Sequence, residues 1–283
     1  MSNLLNNNQN ILSQYNPDSI IWKEYIFTNI IGKGSDGTVV KLQNQSSKKQ
    51  IAAKISTNKN NSNEINILKK IGHENIIKML GYEFTANQRI IYMEYVEGVT
   101  LETLIIECNG IEMSELFPIY YQVFNVIEYL HSKNIAHMDI KPDNILIDMC
   151  KSVKIIDFEN SLDFSKIPSV RGPIGSFAFG APEINLNGFY RGFPCDIFSL
   201  HLTLATSATG RLLWSQAQDS DEKYKNWRSN DSRTAEFSDL NVDLFLFLKR
   251  VLIHDPRKRP SIRLIKEDHW FVTMEAEYIN KCK

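Results

Sequence analysis

Three short motifs near the middle of the sequence constrain its fold more than any other feature. The first runs from 135 to 147 and reads IAHMDIKPDNILI. The second follows shortly after it as VKIIDFE over 153–159, and the third is GAPE over 180–183. Each motif is short enough to occur by chance, but their fixed order and spacing together are very specific. The rest of the sequence is therefore interpreted around them.

A glycine-rich turn precedes these motifs. Gly32, Gly34 and Gly37 lie between two runs that are typical of β-strands. Glycines let a backbone approach phosphate oxygens closely and present its N–H groups to them. The turn leads into a strand rather than a helix, which disfavours a Rossmann fold, and it lacks the Gly-Lys-Ser/Thr ending of a P-loop. Taken alone, the turn is equally typical of an ordinary hairpin.

A lysine in an apolar strand is the second isolated signal. The run IAAK ends at Lys54, and Glu64 stands at the start of a short helix predicted over 64–70. A lysine held by a carboxylate on a neighbouring helix can reach the α- and β-phosphates of a nucleotide. Taken alone, each of these two residues is more often a solvated surface charge.

The pattern of apolar residues changes near residue 100. Short strand-like runs dominate before it, and amphipathic helical runs dominate after it. The predicted later helices are Leu116–His131, Asp196–Thr209, Asp239–Ile253 and Ser261–Trp270. The sequence therefore predicts a mostly β small lobe followed by a mostly helical large lobe, without internal repeats.

Composition excludes several classes of protein. Apolar residues make up 43% and charged residues 23% of the chain, as in soluble globular proteins. Lys and Arg total 32 against 33 Asp and Glu, so the excess of positive charge that nucleic-acid and membrane-surface binders use is missing. The sequence has no apolar run of membrane-spanning length and no secretory signal. Four scattered cysteines favour a reducing, cytoplasmic location. We expect no nucleic-acid or membrane partner, and the oligomeric state stays open.

Taken together, the turn, the strand lysine and the three motifs resemble the eukaryotic-type protein kinase family over about residues 24–272. That family combines a His-Arg-Asp catalytic loop, with Asn five residues after the Asp, an Asp-Phe-Gly motif and an Ala-Pro-Glu motif. The resemblance implies an α+β, bilobal protein-kinase-like fold. It has a small antiparallel β lobe with one helix over about 24–95, and a larger, mainly α-helical lobe over about 97–272. A mobile Asn-rich leader over 1–20 and a short tail over 273–283 flank this domain.

The resemblance also implies a reaction and a role for each matching residue. The γ-phosphoryl group of ATP would pass to Ser or Thr hydroxyls of a protein substrate, since Lys141-Pro142 and Gly175-Ser176 resemble serine/threonine kinases, with a weak leaning to the calcium/calmodulin-dependent group. Asp139 would accept the hydroxyl proton and Lys141 would neutralise the transferring group. The implied Mg²⁺ ligands are Asn144 and Asp157.

The implied nucleotide site draws on the first hundred residues and on one later strand. Lys54, paired with Glu64, would fix the phosphates under the glycine-rich turn, and adenine would lie between Val39, Ala52 and Leu146. The full set of implied ATP-binding residues is Ile31, Gly32, Lys33, Gly34, Ser35, Asp36, Gly37, Thr38, Val39, Ala52, Lys54, Met93, Glu94, Val96 and Leu146.

Structural contacts follow from the same matching. Glu183 would pair with Arg259, and Asp196 would brace the catalytic loop. Leu68, Met79, His137 and Phe158 would form a buried row.

Three positions depart from the family pattern. Met138 replaces the Arg that pairs with a phosphate on the activation segment, so we expect phosphorylation of Ser161, Ser165 and Ser169 to matter little. Glu159 replaces a Gly that permits positive φ, and the Cβ of Glu159 predicts a backbone strain of roughly 1–2 kcal/mol. Its carboxylate predicts either stronger attraction of magnesium or a raised pKa of the neighbouring Asp157. Finally, the connection from Lys54 to Glu64 is short, which leaves their pairing open.

Two alternative functions remain at this stage. One is a pseudokinase, a binding scaffold that has lost efficient transfer, which Glu159 and the short connection favour and the retained Lys54, Asp139, Asn144 and Asp157 oppose. The other is a small-molecule kinase of the aminoglycoside-phosphotransferase type, which the Ala181-Pro182-Glu183 motif makes less favourable.

Overall fold

We describe the protein from a computed structural model over residues 24–34, 37–57, 62–186, 188–229 and 234–281. The chain divides into two compact units. Among the described residues, the smaller unit holds those from 24 up to Ser62 and Lys78–Tyr95, and the larger holds Asn63–Ile77 and those from Val96 to 281. The predicted leader over 1–20 lies outside the described residues, as do Ser35 and Asp36 of the glycine-rich turn.

The smaller unit is built on a five-stranded antiparallel sheet. Its strands are β1 (Tyr25–Gly34), β2 (Gly37–Asn44), β3 (Gln50–Ser56), β4 (Met79–Phe84) and β5 (Arg89–Glu94), in the spatial order β1-β2-β3-β5-β4. β-Branched and aromatic side chains, which suit a pleated sheet, form the core on one face. This core consists of Val40, Leu42, Ile51, Ala53, Ile55, Ile90 and Tyr92. Since side chains alternate along a strand, the residues between them lie on the other face.

The larger unit is mainly helical. Its helices are α1 (Asn63–Leu68), α2 (Leu101–Cys108), α3 (Met113–Ser132), α4 (Gly192–Thr209), α5 (Glu222–Ser229), α6 (Val242–Val251), α7 (Ile262–Lys266) and α8 (His269–Lys281). Seven short strands accompany them: β6 (Gly98–Thr100), β7 (Ile135–Ala136), β8 (Ile145–Asp148), β9 (Val153–Ile155), β10 (Leu162–Asp163), β11 (Val170–Arg171) and β12 (Phe189–Tyr190). An antiparallel sheet in one unit and mainly helices in the other confirm the predicted α+β fold class.

Helix α4 forms the centre of the larger unit. It is buried on every side from Cys195 to Ser207, which is typical of a helix enclosed by other elements rather than lying at the surface. Aromatic rings of α3, α6 and α8 pack beside it, with Phe124 and Phe271 4.6 Å apart and Phe247 stacked on Trp270 at 4.2 Å. The short α1 belongs to this unit, and the Asn63 amide donates hydrogen bonds to the carbonyls of residues 159 and 161.

Several predicted helix boundaries are wrong: α3 begins at Met113 rather than Leu116, and α4 begins at Gly192 rather than Asp196. The single helix expected over 261–270 is divided into α7 and α8 at Asp268. The Asp268 carboxylate accepts a hydrogen bond from the Trp270 backbone N–H at 2.9 Å, which is the contact that starts a new helix. The helix expected over 239–253 begins at Val242, because the Asn241 side chain accepts hydrogen bonds from the backbone N–H groups of Asp243 and Leu244 in the first turn of α6.

None of the described helices combines the length and the apolar character that crossing a bilayer demands.

A buried histidine in α4 makes the stability of this unit depend on pH. His201 is fully buried between the Tyr120 hydroxyl and the Ile197 carbonyl, and burial lowers its pKa to about 4. In the unfolded state His201 takes up a proton near pH 6.5, whereas in the folded state it stays neutral down to about pH 4. We expect the free energy of unfolding to fall by roughly 1.4 kcal/mol per pH unit between pH 6.5 and 4 from this group.

Urea unfolding at several pH values measures this slope. His201→Asn removes the titrating group, so the native chain should lose more stability than the variant between pH 7 and 5. Equal slopes in both proteins would contradict the assignment.

Candidate active site

Asp139 lies at the centre of a hydrogen-bonded loop that follows β7 in the larger unit. Its side chain is buried, and Oδ1 accepts the Ser176 backbone N–H at 2.9 Å. Oδ2 lies 3.2 Å from both Lys141 Nζ and Asn144 Nδ2. The structure thus brings together three residues that the sequence assigned to catalysis and metal binding, all within one short loop.

The surroundings of Asp139 keep it ionised. Burial alone would raise the pKa of this carboxyl, but the hydrogen bonds from Ser176 and the positive charge of Lys141 outweigh burial and hold the pKa below its usual value. Lys141 also donates to the Ser176 hydroxyl at 2.7 Å. The result is a buried carboxylate with fixed orientation beside a fixed ammonium group.

Asp196 braces the backbone of this loop, as predicted. Its buried carboxylate accepts the backbone N–H groups of His137 at 2.9 Å and Met138 at 2.8 Å. It also lies 3.0 Å from Nε2 of His131. Met138 has φ 68°, a left-handed conformation that is costly for a residue with a Cβ. The two hydrogen bonds to Asp196 hold the backbone in that conformation next to Asp139.

Sequence reasoning missed the positioning role of Gly175 and Ser176. Gly175 has φ 80°, and a Cβ there would lie 2.1 Å from the Met138 carbonyl oxygen. Only glycine allows this approach, which places the Ser176 N–H and hydroxyl on Asp139 and Lys141. The dipeptide was noted only as a mark of substrate class; the glycine itself was the available signal.

A group of three carboxylates lies beside this loop in the same unit. One oxygen each of Glu64, Asp157 and Glu159 lies within 4.8 Å of the others. Carboxylate oxygens are the ligands that Mg²⁺ prefers. Asn144 uses its amide N–H groups on Asp139, at 2.8 Å from the carbonyl and 3.2 Å from Oδ2, which leaves its amide oxygen as an acceptor. These donors fit a magnesium ion.

The expected backbone strain at Glu159 is wrong. Positive φ in this motif falls on Asp157, at 64°, and not on Glu159. Asp tolerates the left-handed region better than most residues with a Cβ. Glu159 is therefore accommodated without that cost, and its effect is confined to the charge it adds next to Asp157.

The smaller unit carries the predicted phosphate-binding residues. The turn is closed by the pairs Gly32–Val39, Lys33–Thr38 and Gly34–Gly37, and Ile31 is exposed in β1. Gly37 has φ 146°, and a Cβ there would lie 2.1 Å from the Ile55 carbonyl oxygen, so this position requires glycine. Ser35 and Asp36 lie outside the described residues.

One face of the sheet collects the other predicted nucleotide-binding residues of this unit. Val39 is paired with Lys54, and Ala52 with Met93. Paired positions and positions two apart share a face, so all four lie on the side opposite the core. Glu94 is fixed nearby by the Lys78 backbone, whose N–H donates to Glu94 Oε1 at 2.9 Å.

Two other predicted nucleotide-binding residues are not part of this sheet. Val96 and Leu146 belong to the larger unit, where Leu146 is paired with Thr100 across β6 and β8. Lys54 and Glu64 are both buried, at 8% and 1% exposure, so neither is a solvated surface charge. Their pairing stays a prediction.

Two further predicted contacts in the larger unit are present. Arg259 donates to both oxygens of Glu183, at 2.7 and 3.1 Å, in a buried bidentate pair. The rings of His137 and Phe158 are buried edge to face with centroids 4.8 Å apart. Both contacts anchor segments that flank Asp139.

Residues 25–271 match the family model described as protein kinase domain. The chain belongs to the protein kinase domain family. A serine/threonine-protein kinase, chk-1, of Caenorhabditis briggsae is 29% identical over 270 residues, covering 87% of this chain and 53% of that protein. A probable serine/threonine-protein kinase of Dictyostelium discoideum is 30% identical over 265 residues, covering 88% and 31% respectively. The chain thus spans about a third to a half of the curated relatives it matches.

Met138 stands at the position where the kinase family pattern has an Arg. Met138 is buried, and its sulfur packs beside Gly192 together with Phe164. Apolar packing therefore takes the place where the family pattern has a phosphate-binding Arg. The beginning of the activation segment is also held by the pairing of β10 with β7 and by the ion pair between Lys70 and Asp163.

These contacts lead to a prediction about phosphorylation. Ser161 is fully buried and donates to the His137 carbonyl at 3.1 Å, so this serine is not accessible for phosphorylation and only Ser165 and Ser169 are replaced in the test. We expect the double variant Ser165→Ala, Ser169→Ala to retain most kinase activity. Position 138 is Met rather than Arg, so it has no positive charge that could bind a phosphate on either serine. Initial rates on a protein substrate measure this, and a loss beyond roughly tenfold, about 1.4 kcal/mol in the barrier, would contradict it.

Proposed function

We propose that this chain transfers the γ-phosphoryl group of ATP to Ser or Thr hydroxyls of protein substrates, with magnesium. The observation that carries the proposal is the arrangement at Asp139: a buried, ionised carboxylate next to Lys141 and Asn144. The printed names of the relatives, which are serine/threonine-protein kinases, support the choice of acceptor.

In this proposal Asp139 orients the substrate hydroxyl and takes up its proton as the oxygen attacks the γ-phosphorus. A weakly basic carboxylate suffices, because proton transfer in a loose phosphoryl-transfer transition state comes late and positioning dominates. Lys141 is held 2.7 Å from the Ser176 hydroxyl and would donate to an oxygen of the transferring group. The bond between the γ-phosphorus and its bridging oxygen breaks, and ADP leaves.

Magnesium fits the donors of the larger unit. The amide oxygen of Asn144 and the carboxylate of Asp157 would hold it, with Glu159 as an additional carboxylate close by. When bound, the ion neutralises charge on the phosphate oxygens. The glycine-rich turn, Lys54 and the sheet face of Val39, Ala52 and Met93 are proposed to bind the nucleotide.

Phosphoamino-acid analysis tests the acceptor. The native chain is incubated with labelled ATP, magnesium and a mixed protein substrate, and the product is hydrolysed to amino acids. Phosphoserine and phosphothreonine are expected. Phosphotyrosine as the main product would overturn the choice of acceptor, and label on an aminoglycoside but on no protein would favour the small-molecule alternative.

A further inference from the structure

A cavity of about 750 Å³ lies in the larger unit, away from the Asp139 loop. Three segments form most of its walls: residues 108–114 from the end of α2 to the start of α3, residues 239–250 before and along α6, and residues 269–277 of α8. Its volume is in the range of roughly 300–1,000 Å³ that is typical of ligand pockets. The reaction proposed above makes no use of it.

Backbone hydrogen bonds and ring stacking hold the walls of this cavity in place. The loop after α2 is locked against the end of α4, where the Ile111 backbone N–H donates to the Ser207 carbonyl at 2.8 Å. Gly110 has φ 103°, and a Cβ there would lie 2.9 Å from the Ala208 carbonyl oxygen. On the opposite side, Trp270 is stacked on Phe247 with ring centroids 4.2 Å apart. The cavity is therefore formed before any ligand arrives, which reduces the entropy lost on binding.

The lining combines apolar side chains with an excess of negative charge. Leu246 is 47% exposed at the cavity although it is an apolar residue. Two charged residues of the lining are already paired: Asp239 with Arg211 at 2.7 Å, and Arg250 with Asp268 at 2.6 Å. The carboxylates of Glu112, Asp243 and Glu277 have no ion pair among the residues that the structure describes. The cavity thus offers apolar contact surrounded by three uncompensated negative charges.

We propose that this cavity is a docking site for a segment of a partner protein that presents leucine-like side chains flanked by Lys or Arg. Apolar side chains of the segment would cover Leu246 and the Trp270 edge. Its basic side chains would pair with Glu112, Asp243 and Glu277. Complementary charge around an apolar centre selects a basic segment over an acidic one and speeds the encounter.

A labelled synthetic peptide is the probe. It has about 12 residues, with Leu at positions i, i+3, i+4 and i+7, Arg at most others, and neither Ser nor Thr. A second peptide carries Glu at every Arg position. Fluorescence anisotropy with the native chain, at low and at high salt, should show saturable binding of the basic peptide only, weakened by salt.

Matched variants locate the binding site. Leu246→Ser should weaken binding roughly fivefold or more, because the peptide loses an apolar contact. Leu264→Ser is the control: Leu264 is 57% exposed on α7 and does not line the cavity. Glu112→Gln with Glu277→Gln should weaken binding roughly tenfold and reduce its salt dependence, whereas Glu74→Gln should change neither.

Several outcomes would overturn the proposal. Equal weakening by Leu246→Ser and Leu264→Ser, equal binding of both peptides, or no binding by a chain with native circular dichroism would each do so. Self-association of the native chain in sedimentation that Leu246→Ser abolishes would assign the cavity to a second copy instead. None of these readouts depends on phosphoryl transfer, so they stand apart from the test of the proposed function.

Discussion

Asp139→Asn is expected to lower kcat by roughly 10²–10⁴-fold, the usual contribution of a positioned general base. The amide has the same shape, so the hydrogen bond from the Ser176 N–H can form again, but the group has lost the negative charge that orients the substrate hydroxyl and can no longer take up its proton. The affinity for ATP should change little, because this residue is assigned to the hydroxyl substrate. Steady-state kinetics with a Ser-containing peptide and ATP binding by titration measure the two effects separately.

Asp143→Asn is the matched control for this substitution. Asp143 lies in the 3₁₀ turn Pro142–Asn144 and is exposed. Its substitution by Asn removes one negative charge from the same loop, as Asp139→Asn does. Its kcat should stay within a few fold of the native value. If Asp143→Asn lost as much activity as Asp139→Asn, the loss would reflect the charge of the loop rather than proton transfer at Asp139.

Arg259→Met is expected to have the largest effect on stability. The guanidinium group is completely buried, donates to both oxygens of Glu183, and donates further to the carbonyls of Pro194 and Ile253. Its removal leaves the Glu183 carboxylate buried without its partner. Breaking a buried pair in this way costs roughly 3–5 kcal/mol. Thermal and urea unfolding of the purified variant measure the loss.

Two further variants test whether the unpaired buried carboxylate of Glu183 causes the loss of stability. Arg263→Met removes an exposed arginine whose contact with Glu267 is 3.8 Å long, so it should cost less than about 1 kcal/mol. Adding Glu183→Gln to Arg259→Met removes the buried charge and should restore part of the lost stability. A double variant that is as unstable as the sum of the two single variants would contradict the charge-based explanation.

The sequence predicted the parts of the site that lie within recognisable motifs. The Asp139 loop, the bracing by Asp196 and the pair of Glu183 with Arg259 were predicted because the resemblance to the protein kinase family assigned these roles to the matching residues. The α+β class followed from the change in apolar pattern near residue 100. Glycines also carried direct information, since Gly37 and Gly175 stand where a Cβ would collide with a backbone carbonyl.

The sequence could not show which residue of a motif takes an unusual backbone conformation. Positive φ was expected at 159 and lies at Asp157, because φ depends on how neighbouring segments hold the chain. Ser161 was grouped with Ser165 and Ser169 as a site of phosphorylation, and it is buried against the His137 carbonyl. The division at Asp268 depended on one side-chain hydrogen bond, which helical periodicity does not contain. The first two features depend on contacts between segments that are distant in the sequence, and the third depends on a local side-chain hydrogen bond.

Magnesium-dependent transfer of the γ-phosphoryl group from labelled ATP to a Ser/Thr protein substrate tests the central claim most directly. The native chain should transfer label with magnesium, and Asp139→Asn should transfer almost none under the same conditions. Absence of transfer by a folded native chain that still binds ATP would contradict the claim. The chain would then be a pseudokinase, with Glu159 beside Asp157 as the first residue to replace by Gly.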